Sequence, residues 1–173
     1  MSVTLHTQLG DLKVELRCDT APRCTFNFLC LAGSGAYDGT AFHRLMPGFM
    51  AQAGAPGVSG KGGESVWGGA FADEFHPENS HDVRGILSMA NKGPDTNRAQ
   101  FFLTFAPQPH LNDKYSVFGH LVDGFETLDA LEKLPVGAKH RPVSEVTIER
   151  VTVHANPFAE RDMVIRAPDG AVD

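Results

Sequence analysis

Two short segments of this sequence concentrate side chains that could carry chemistry. The first segment, residues 42–54 with the sequence FHRLMPGFMAQAG, holds a cation at Arg44, an aromatic ring at Phe49 and an amide at Gln52. If this part of the chain is a strand, Met50 and Gln52 project from the same face, because successive side chains of a strand alternate. The segment therefore predicts a strand face that combines apolar and hydrogen-bonding groups beside a positive charge.

The second segment, residues 85–102, repeats this combination in the sequence GILSMANKGPDTNRAQFF. Gln100 and Phe102 share one face of a predicted strand, and Ala90 and Asn91 supply backbone hydrogen-bonding groups at the end of another. A buried amide needs hydrogen-bond partners, so a glutamine on an apolar strand face is hard to explain as a core residue. The two segments together predict one site built from apolar walls, amides and a cation.

Each of these residues also has a plainer interpretation. Phe49, Met50 and Phe102 could belong to the hydrophobic core, as we expect for the neighbouring Phe101. An isolated arginine after Phe-His, such as Arg44, is usually a solvated surface charge. Residue by residue these alternatives stay open, and only the combined pattern favours a site.

The spacing of the other reactive residues supports no second kind of site. The glycine-rich stretch 55–62 (APGVSGKG) differs from a phosphate loop at Ala55, where glycine is needed, and at Gly62, where Ser or Thr would bind magnesium. The eight histidines form no HxxxH pair and no cluster with cysteine at zinc spacing, and no GxSxG is present. We therefore expect neither a metal nor a cofactor, while a Ser-His-Asp triad assembled from distant segments stays open.

The composition indicates a single soluble domain. The chain has 173 residues, of which 42% are hydrophobic, enough for one substantial core. Its net charge of −6 comes without a cluster of Lys or Arg, which argues against direct nucleic-acid binding. The three cysteines include no CxxC pair, and the N-terminus has no signal-peptide pattern. No apolar run reaches the roughly 18–20 residues of a membrane span, so we expect a protein of the nucleus or cytoplasm that is neither secreted nor membrane-bound.

The predicted secondary structure is mainly β. Apolar residues that alternate on both sides of a Gln-Leu-Gly-Asp turn predict an N-terminal hairpin over Val3–Leu16. Helices are predicted at about Pro22–Ala32, where a preceding Asp or Thr side chain could cap the start, and at about Phe125–Lys133. Short strands are predicted at Thr40–Phe42, Phe49–Ala53, Gly85–Met89, Phe101–Thr104 and Ser116–Leu121.

The alternation of apolar residues in the last predicted strand, Val146–His154, changes parity in its middle. We therefore expect a β-bulge near Glu149–Arg150, because one inserted residue restores the alternation. About eight strands and two helices fit a closed antiparallel barrel capped by the helices, since closure removes exposed strand edges. The predicted domain covers residues 1–156, and we interpret the polar residues 157–173 as a tail.

The two chemical segments resemble the signature of the cyclophilins, a family of peptidyl-prolyl cis-trans isomerases. The matching patterns are FHRxxPGFMxQxG in residues 42–54 and SMANxGPxTNxxQFF in residues 88–102. The resemblance extends over about residues 3–155. The HANPF ending and residues within Pro109–Tyr115 are similar to the small single-domain cyclophilin J (cyclophilin-like 3) subgroup, which is associated with spliceosomes.

This resemblance implies a fold, a reaction and roles for individual residues. The implied fold is the cyclophilin barrel with two helices, and the implied reaction is rotation about Xaa-Pro peptide bonds without a cofactor. The implied catalytic group is Arg44, with Gln52 supporting it and Phe102 in the proline pocket. The residues implied to bind substrate are Phe49, Met50 and Leu111 in the pocket, Gln100, Ala90 and Asn91 along the peptide, Gly60 beside the neighbouring groove, and His110 and Tyr115 at the rim.

Three positions depart from the best-known members of the family. His110 stands where many members have a tryptophan that hydrogen-bonds cyclosporin, so we expect weakened binding of cyclosporin-type ligands. Tyr115 stands where a pocket-wall histidine is usual, and it keeps an aromatic surface with a polar tip. Arg98-Ala99 stands in place of Gly-Ser, where the arginine could narrow the neighbouring pocket, and Lys92 adds charge. Each change could also be a solvated surface change without consequence.

Two functions of different classes follow from the resemblance. The first is a working isomerase, monomeric and acting on proline-containing peptides and proteins. The second is a proline-recognition module of a spliceosomal assembly whose catalysis is incidental. An intact site would bind Xaa-Pro peptides in either case, so a cis–trans exchange assay is the measurement that separates them.

Overall fold

The computed structural model describes residues 1–154, and the predicted tail and the predicted domain boundary at residue 156 lie outside them. Over these residues the chain forms eight β-strands and two α-helices. Two short 3-10 helices cover Pro109–Leu111 and Ala138–His140. In chain order the other elements are β1 (Ser2–Thr7), β2 (Gly10–Leu16), α1 (Pro22–Gly33), β3 (Arg44–Met46), β4 (Met50–Ala53), β5 (Ile86–Met89), β6 (Phe101–Thr104), β7 (Val117–Asp123), α2 (Phe125–Glu132) and β8 (Ile148–Val153).

Most of the predicted elements are confirmed to within a few residues, but one predicted strand is wrong and one strand was missed. The predicted strand Thr40–Phe42 is reduced to an isolated bridge between Ala41 and Thr147. The strand β3 has three residues and lies further along the chain, outside the predicted range. No helix in residues 1–154 combines the length and the apolar composition that a membrane crossing requires.

The eight strands form one antiparallel sheet in the order β3-β4-β6-β5-β7-β2-β1-β8. The sheet is open, so the predicted closed barrel is wrong, while the mainly β architecture with two helices is confirmed. Closure needs a continuous ladder between the edge strands, and within the described residues β3 pairs with β4 alone. Two hydrogen bonds link residues before β3 to the start of β8 and the residues before it. Phe42 N–H donates to the Val146 carbonyl, and Ile148 N–H donates to the Thr40 carbonyl.

The β-bulge predicted in the last strand is confirmed. β1 pairs with β8 so that His6 faces Arg150 while Thr7 faces Ile148, which leaves Glu149 as the extra residue. Ile148 is buried and Glu149 is exposed. The bulge therefore turns the inserted side chain to solvent and keeps the apolar face of the strand on the core.

Helix α1 begins with Pro22, as predicted, but its N-cap is Ala21, which makes no side-chain hydrogen bond. The predicted Asp or Thr cap is therefore wrong. The Glu74 carboxylate, from a distant loop, accepts the N–H groups of Arg23 (3.2 Å) and Cys24 (2.7 Å). A carboxylate in this place satisfies free N–H groups and complements the helix dipole, so a long-range contact replaces the local cap.

The centre of the hydrophobic core is a cluster of buried aromatic rings. The ring of Phe28 in α1 lies 5.2, 5.2 and 5.3 Å from the rings of Tyr37, Phe101 and Phe118, measured between centroids. The Tyr37 hydroxyl donates to a backbone carbonyl at 2.8 Å, and burial raises its pKa. Because neighbouring residues of a strand point to opposite faces, Phe101 anchors β6 in this core while Phe102 is presented on the other face of the sheet.

His81 is a buried polar residue that packs behind this other face. It is fully buried, its Nδ1 is 2.9 Å from Asn112 Oδ1, and its Nε2 is 3.0 Å from Ser88 Oγ. An amide oxygen only accepts hydrogen bonds, so Nδ1 carries the hydrogen and Nε2 accepts from the serine hydroxyl, with the ring neutral. Burial lowers the pKa of His81.

We predict that the free energy of unfolding falls as the pH drops below about 6.5, because the unfolded chain then binds a proton that the buried His81 does not. Burial lowers the pKa of His43 and of His120 as well, so all three histidines act in the same direction. Urea denaturation at about pH 7.5 and about pH 5.5 measures the free energy of unfolding at each pH. The decrease between the two pH values should be smaller in His81→Gln than in wild type. The matched control His140→Gln, at an exposed histidine, should behave as wild type, and an equal pH dependence in His81→Gln would contradict this explanation.

Candidate active site

Neighbouring strands bring the two chemical segments together. Arg44 of β3 is directly opposite Gln52 of β4, and Gln52 is directly opposite Phe102 of β6. Phe102 is in turn opposite Ser88 of β5. Directly opposed residues of an antiparallel pair point to the same face, so these four residues form one row across the sheet. The row lies on the face away from Phe101 and the aromatic core.

An apolar cluster separate from the main core lies along this row. Met50, Phe102 and Leu111 are its buried members, with 2%, 4% and 6% of their surface exposed. The rings of Phe102 and Tyr115 meet edge to face with centroids 5.6 Å apart. All four residues predicted for the pocket therefore lie together. The partly buried residues that pack against the three buried ones are Met46, Phe49, Ala90 and Tyr115.

The two glutamines predicted for the site are hydrogen-bonded to each other. Gln52 Nε2 donates to Gln100 Oε1 at 2.8 Å, and Gln100 Nε2 donates to the Gly62 carbonyl at 2.9 Å. These bonds supply the partners that an amide on an apolar face requires. Gln52 pairs with Arg44 across the strands, and within residues 1–154 no hydrogen bond joins its amide to the guanidinium. The support of Arg44 by Gln52 therefore stays a prediction.

The guanidinium of Arg44 lies exposed at the border of the apolar cluster. Its Nη2 is 3.6 Å from the sulfur of Met46, and Met46 packs against the cluster. Within the described residues no carboxylate forms an ion pair with it, so its charge and its planar set of donors are available to a ligand. Burial, together with the nearby charges of Arg141 and Arg44, lowers the pKa of the neighbouring His43, so that ring adds no second charge at neutral pH.

A groove of about 450 Å³ extends from the glutamine pair and is lined by Ala90 and Asn91. Ala90 donates its N–H to the Gln100 carbonyl at 3.0 Å. The Asn91 side chain is engaged as well, because Nδ2 donates to the Lys114 carbonyl at 2.9 Å. No hydrogen bond within residues 1–154 engages the Ala90 carbonyl or the Asn91 N–H, so one acceptor and one donor of the main chain remain available there.

The residues that depart from the family pattern lie around the cluster and the groove. His110 is exposed, with its ring 5.9 Å from the ring of Phe49. Arg98 and Lys92 line the groove, and Arg98 pairs with Glu64 through side chains that are 48% and 57% exposed. Exposed ion pairs contribute little to stability, so this pair holds Arg98 only loosely beside the groove.

Gly60 lies beside His43 and outside the apolar cluster. It has a φ of +81°, and a Cβ at this position would come within 2.5 Å of the His43 ring. Both the backbone conformation and the available space therefore require glycine. The close contact also places the loop of Gly60 next to the residue that precedes Arg44.

His81 and Met46 contribute to the site although the sequence patterns do not identify them. His81 stacks on Phe102 with the rings nearly parallel, at 11°, and their centroids 6.1 Å apart, so it supports the pocket wall from behind. It belongs to the loop before β5, outside both chemical segments, where an isolated histidine carries no signal. Met46 is inside the first segment, but nothing in the pattern distinguishes it from Leu45, which is buried in the main core.

This arrangement can hold an apolar ring against fixed walls, bind a peptide main chain beside it, and present an uncompensated cation to the same ligand. Among residues 1–154, no group of three or more His, Cys, Asp or Glu side chains is placed to hold a metal ion.

Comparison with known proteins connects this geometry to a family. The family model described as cyclophilin type peptidyl-prolyl cis-trans isomerase/CLD matches residues 2–153. Peptidyl-prolyl cis-trans isomerase-like 3 of Gallus gallus is 56% identical over 160 residues, which are 92% of this chain and 99% of the relative. The Homo sapiens protein of the same name is 54% identical over 161 residues, 92% of this chain and 100% of the relative.

Solved structures show the same likeness. The crystal structure of a Cryptosporidium parvum cyclophilin type peptidyl-prolyl cis-trans isomerase, obtained in the presence of the dipeptide Ala-Pro, matches with a TM-score of 0.87 and 47% identity. The match covers 90% of this chain and 100% of that chain, and the family match includes both segments that build the site. The chain therefore belongs to the cyclophilin-type peptidyl-prolyl cis-trans isomerases, enzymes that catalyse rotation about Xaa-Pro peptide bonds.

Proposed function

We propose that this isomerase binds the proline ring of its substrate against Met50, Phe102 and Leu111 and uses Arg44 to catalyse rotation. One observation carries the proposal, namely the row in which Gln52 separates Arg44 from Phe102. Two strand spacings, roughly 10 Å, lie between the backbones of Arg44 and Phe102. A proline ring held against Phe102 and an extended arginine side chain fill that distance together.

The barrier to the reaction is the resonance of the peptide bond. The barrier to rotation is about 18–20 kcal/mol, and uncatalysed exchange of an Xaa-Pro bond takes tens to hundreds of seconds. No covalent bond forms or breaks. In the twisted transition state the prolyl nitrogen loses its conjugation and regains a lone pair, so a donor aimed at that nitrogen stabilises the transition state more than the planar ground state.

Arg44 is suited to donate this hydrogen bond. Arginine stays charged and presents a rigid planar fork, and no ion pair within the described residues compensates the charge of Arg44. A hydrogen bond to a charged group contributes about 1.5–3 kcal/mol, which corresponds to about a ten- to a hundredfold increase in rate. The rest of the acceleration comes from holding the ring while the preceding carbonyl swings.

The groove beside the glutamine pair suits the peptide before the proline. The Ala90 carbonyl and the Asn91 N–H are an acceptor and a donor that a substrate main chain can pair with. The relative whose structure was obtained with Ala-Pro supports a proline-containing ligand for this chain. We propose proline-containing peptides and proteins as substrates of a monomeric enzyme in the nucleus or cytoplasm.

A second candidate function is a proline-recognition module of a spliceosomal assembly, with incidental catalysis. Its support is the resemblance to the cyclophilin J subgroup and the 54% identity to the human isomerase-like 3 protein. The uncompensated Arg44 favours the working enzyme, because a binding module needs the apolar walls but has no need of a donor to the prolyl nitrogen.

We predict that Arg44→Ala lowers the exchange rate of an Xaa-Pro peptide by about ten- to a hundredfold. The fold should be unchanged, because the side chain is exposed. NMR exchange spectroscopy on the peptide measures the rate, and circular dichroism checks the fold. The matched control is Arg150→Ala, an exposed arginine of β8, which should retain the wild-type rate.

Two outcomes would overturn parts of this proposal. A rate for Arg44→Ala within about twofold of wild type would remove Arg44 from the catalytic role. A wild-type protein that binds the peptide in a titration, yet shows no exchange above the uncatalysed rate, would favour the recognition module.

We predict weak binding of cyclosporin, because the imidazole of His110 lacks the extended face of a tryptophan and its indole donor. His110→Trp should lower the dissociation constant for cyclosporin by about tenfold, which is the equivalent of one regained hydrogen bond. Isothermal titration calorimetry measures both proteins, with His140→Trp as the control for an added surface tryptophan. Sub-nanomolar binding by the wild type would contradict the prediction.

A further inference from the structure

The turn of residues 47–49, hereafter the 47–49 turn, joins β3 to β4 and carries Phe49 to the apolar cluster. We infer that Glu132, the last residue of α2, is a positioning residue that fixes the 47–49 turn and with it the place of Phe49 in the pocket. The inference rests on the proposed function, in which Phe49 is one wall of the proline pocket.

The Glu132 carboxylate binds the turn directly. Its Oε2 accepts the Gly48 N–H at 2.8 Å, and its Oε1 accepts Nη1 of Arg84 at 2.8 Å. The side chains of Glu132 and Arg84 are each 26% exposed, so both are largely shielded from water. Hydrogen bonds to an ionised acceptor are stronger than those between neutral groups, and this one ties the end of α2 to a turn 84 residues earlier in the chain.

Gln108 makes a second contact with the same turn. Its Nε2 donates to the Gly48 carbonyl at 2.9 Å, with a longer contact of 3.5 Å to the Phe49 carbonyl. Gln108 is only 8% exposed, and its own N–H donates to the His81 carbonyl at 2.8 Å. Both backbone polar groups of Gly48 are therefore bound by side chains from outside the turn.

Arg84 connects Glu132 to a hydrogen bond at the next residue of the turn, Phe49. The Phe49 carbonyl accepts the Phe105 N–H at 2.9 Å. Arg84 Nη1 donates to the Phe105 carbonyl at 2.7 Å, and its guanidinium lies 5.6 Å from the centre of the Phe105 ring. Arg84 thus joins Glu132 to Phe105, and these two hold the turn at successive residues, Gly48 and Phe49.

The turn has local order of its own, because the Phe49 N–H donates to the Met46 carbonyl at 2.9 Å and Pro47 and Gly48 suit its two central positions. Gly48 has a φ of +77°, a region that glycine enters freely, and a Cβ there would meet nothing within 4 Å. Phe49 is only partly buried, and its ring packs near the exposed His110. The internal hydrogen bond closes the turn, whereas the hydrogen bonds with Glu132 and Gln108 fix where the closed turn lies relative to the rest of the fold.

The position of Phe49 affects binding more than it affects the chemical step. Met50 and Phe102 are held by strand pairing, whereas Phe49 follows the turn. Loss of the Glu132 carboxylate frees the Gly48 N–H and lets Phe49 move away from the proline ring. An apolar contact with that ring is similar in the ground and transition states, so its loss raises KM and leaves kcat nearly unchanged.

The first experiment measures kcat and KM for an Xaa-Pro peptide in Glu132→Ala and Glu132→Gln. We expect KM to rise about three- to tenfold in Glu132→Ala, with kcat within about twofold of wild type. Glu132→Gln keeps the size of the side chain and one acceptor oxygen, so its KM should lie between the KM of wild type and that of Glu132→Ala. The matched control Glu126→Ala removes an exposed carboxylate from the first turn of the same helix and should change neither constant.

A double-mutant cycle with Phe49→Ala tests whether Glu132 acts through Phe49. If it does, Glu132→Ala should add almost nothing to the KM of Phe49→Ala, since the wall that it positions is already gone. The Gly48 amide resonance should shift to higher field in Glu132→Ala, as expected for a lost hydrogen bond to a carboxylate. A drop in kcat at constant KM, or effects that add fully, would show a merely structural role and overturn the inference.

Peptide affinity separates this inference from the proposed function. If the wild type showed no exchange, the catalytic proposal would fail, and the same cycle would be run on the dissociation constant of the peptide measured by titration. Weaker binding in Glu132→Ala but no further weakening in the Phe49→Ala background would still support the positioning role. Unchanged affinity in Glu132→Ala, or in Phe49→Ala itself, would overturn it.

Discussion

The site depends on the register in which β3, β4 and β6 pair. A slip of one residue in β4 would turn Gln52 towards the main core and Ala51 away from it. Side chains on both faces oppose that slip. Ala51 is fully buried in the main core, and a displaced Gln52 would lose its bond to Gln100, which leaves a buried amide without a partner. The core and the site therefore specify the same register, and that register sets the distance between the Arg44 side chain and the apolar cluster.

The pocket joins a rigid wall to an adjustable one. Phe102 belongs to β6, and the preceding residue of this strand, Phe101, packs among the aromatic rings of the core. His81 stacks on the ring of Phe102 from behind. Close-packed interiors resist displacement, so this wall is preorganised. Phe49 stands on a glycine turn outside the sheet and takes its position from side chains of other elements. In the proposed site, Phe102 would therefore hold one face of the substrate ring firmly. A change in α2 at Glu132 would alter the contact with Phe49 and leave the row that carries Arg44 in place.

Much of the fold and of the site could be predicted because the relevant signals are local. A change of parity in the last strand was enough to predict a bulge near Glu149, and the two short segments were enough to predict that Phe49, Met50 and Phe102 lie on one site. The features that prediction missed depend on residues far apart in sequence. The open sheet follows from how few residues link its edges, the start of α1 is capped by Glu74 from a distant loop, and His81 supports Phe102 from outside both segments. No spacing along the chain records such contacts, so only the folded structure reveals them.

The shortness of β3 has a consequence for the behaviour of the protein in concentrated solution. An edge strand offers unpaired N–H and C=O groups to which a strand of another molecule can add, and proteins counter this with short edges, charges and proline. β3 has three residues, it begins at the exposed Arg44, and Pro47 follows its end. Arg44, which we propose as the catalytic group, is thus also a charge that discourages edge-to-edge aggregation. Removing this charge would reduce colloidal stability, an effect that an activity assay on dilute protein would not detect.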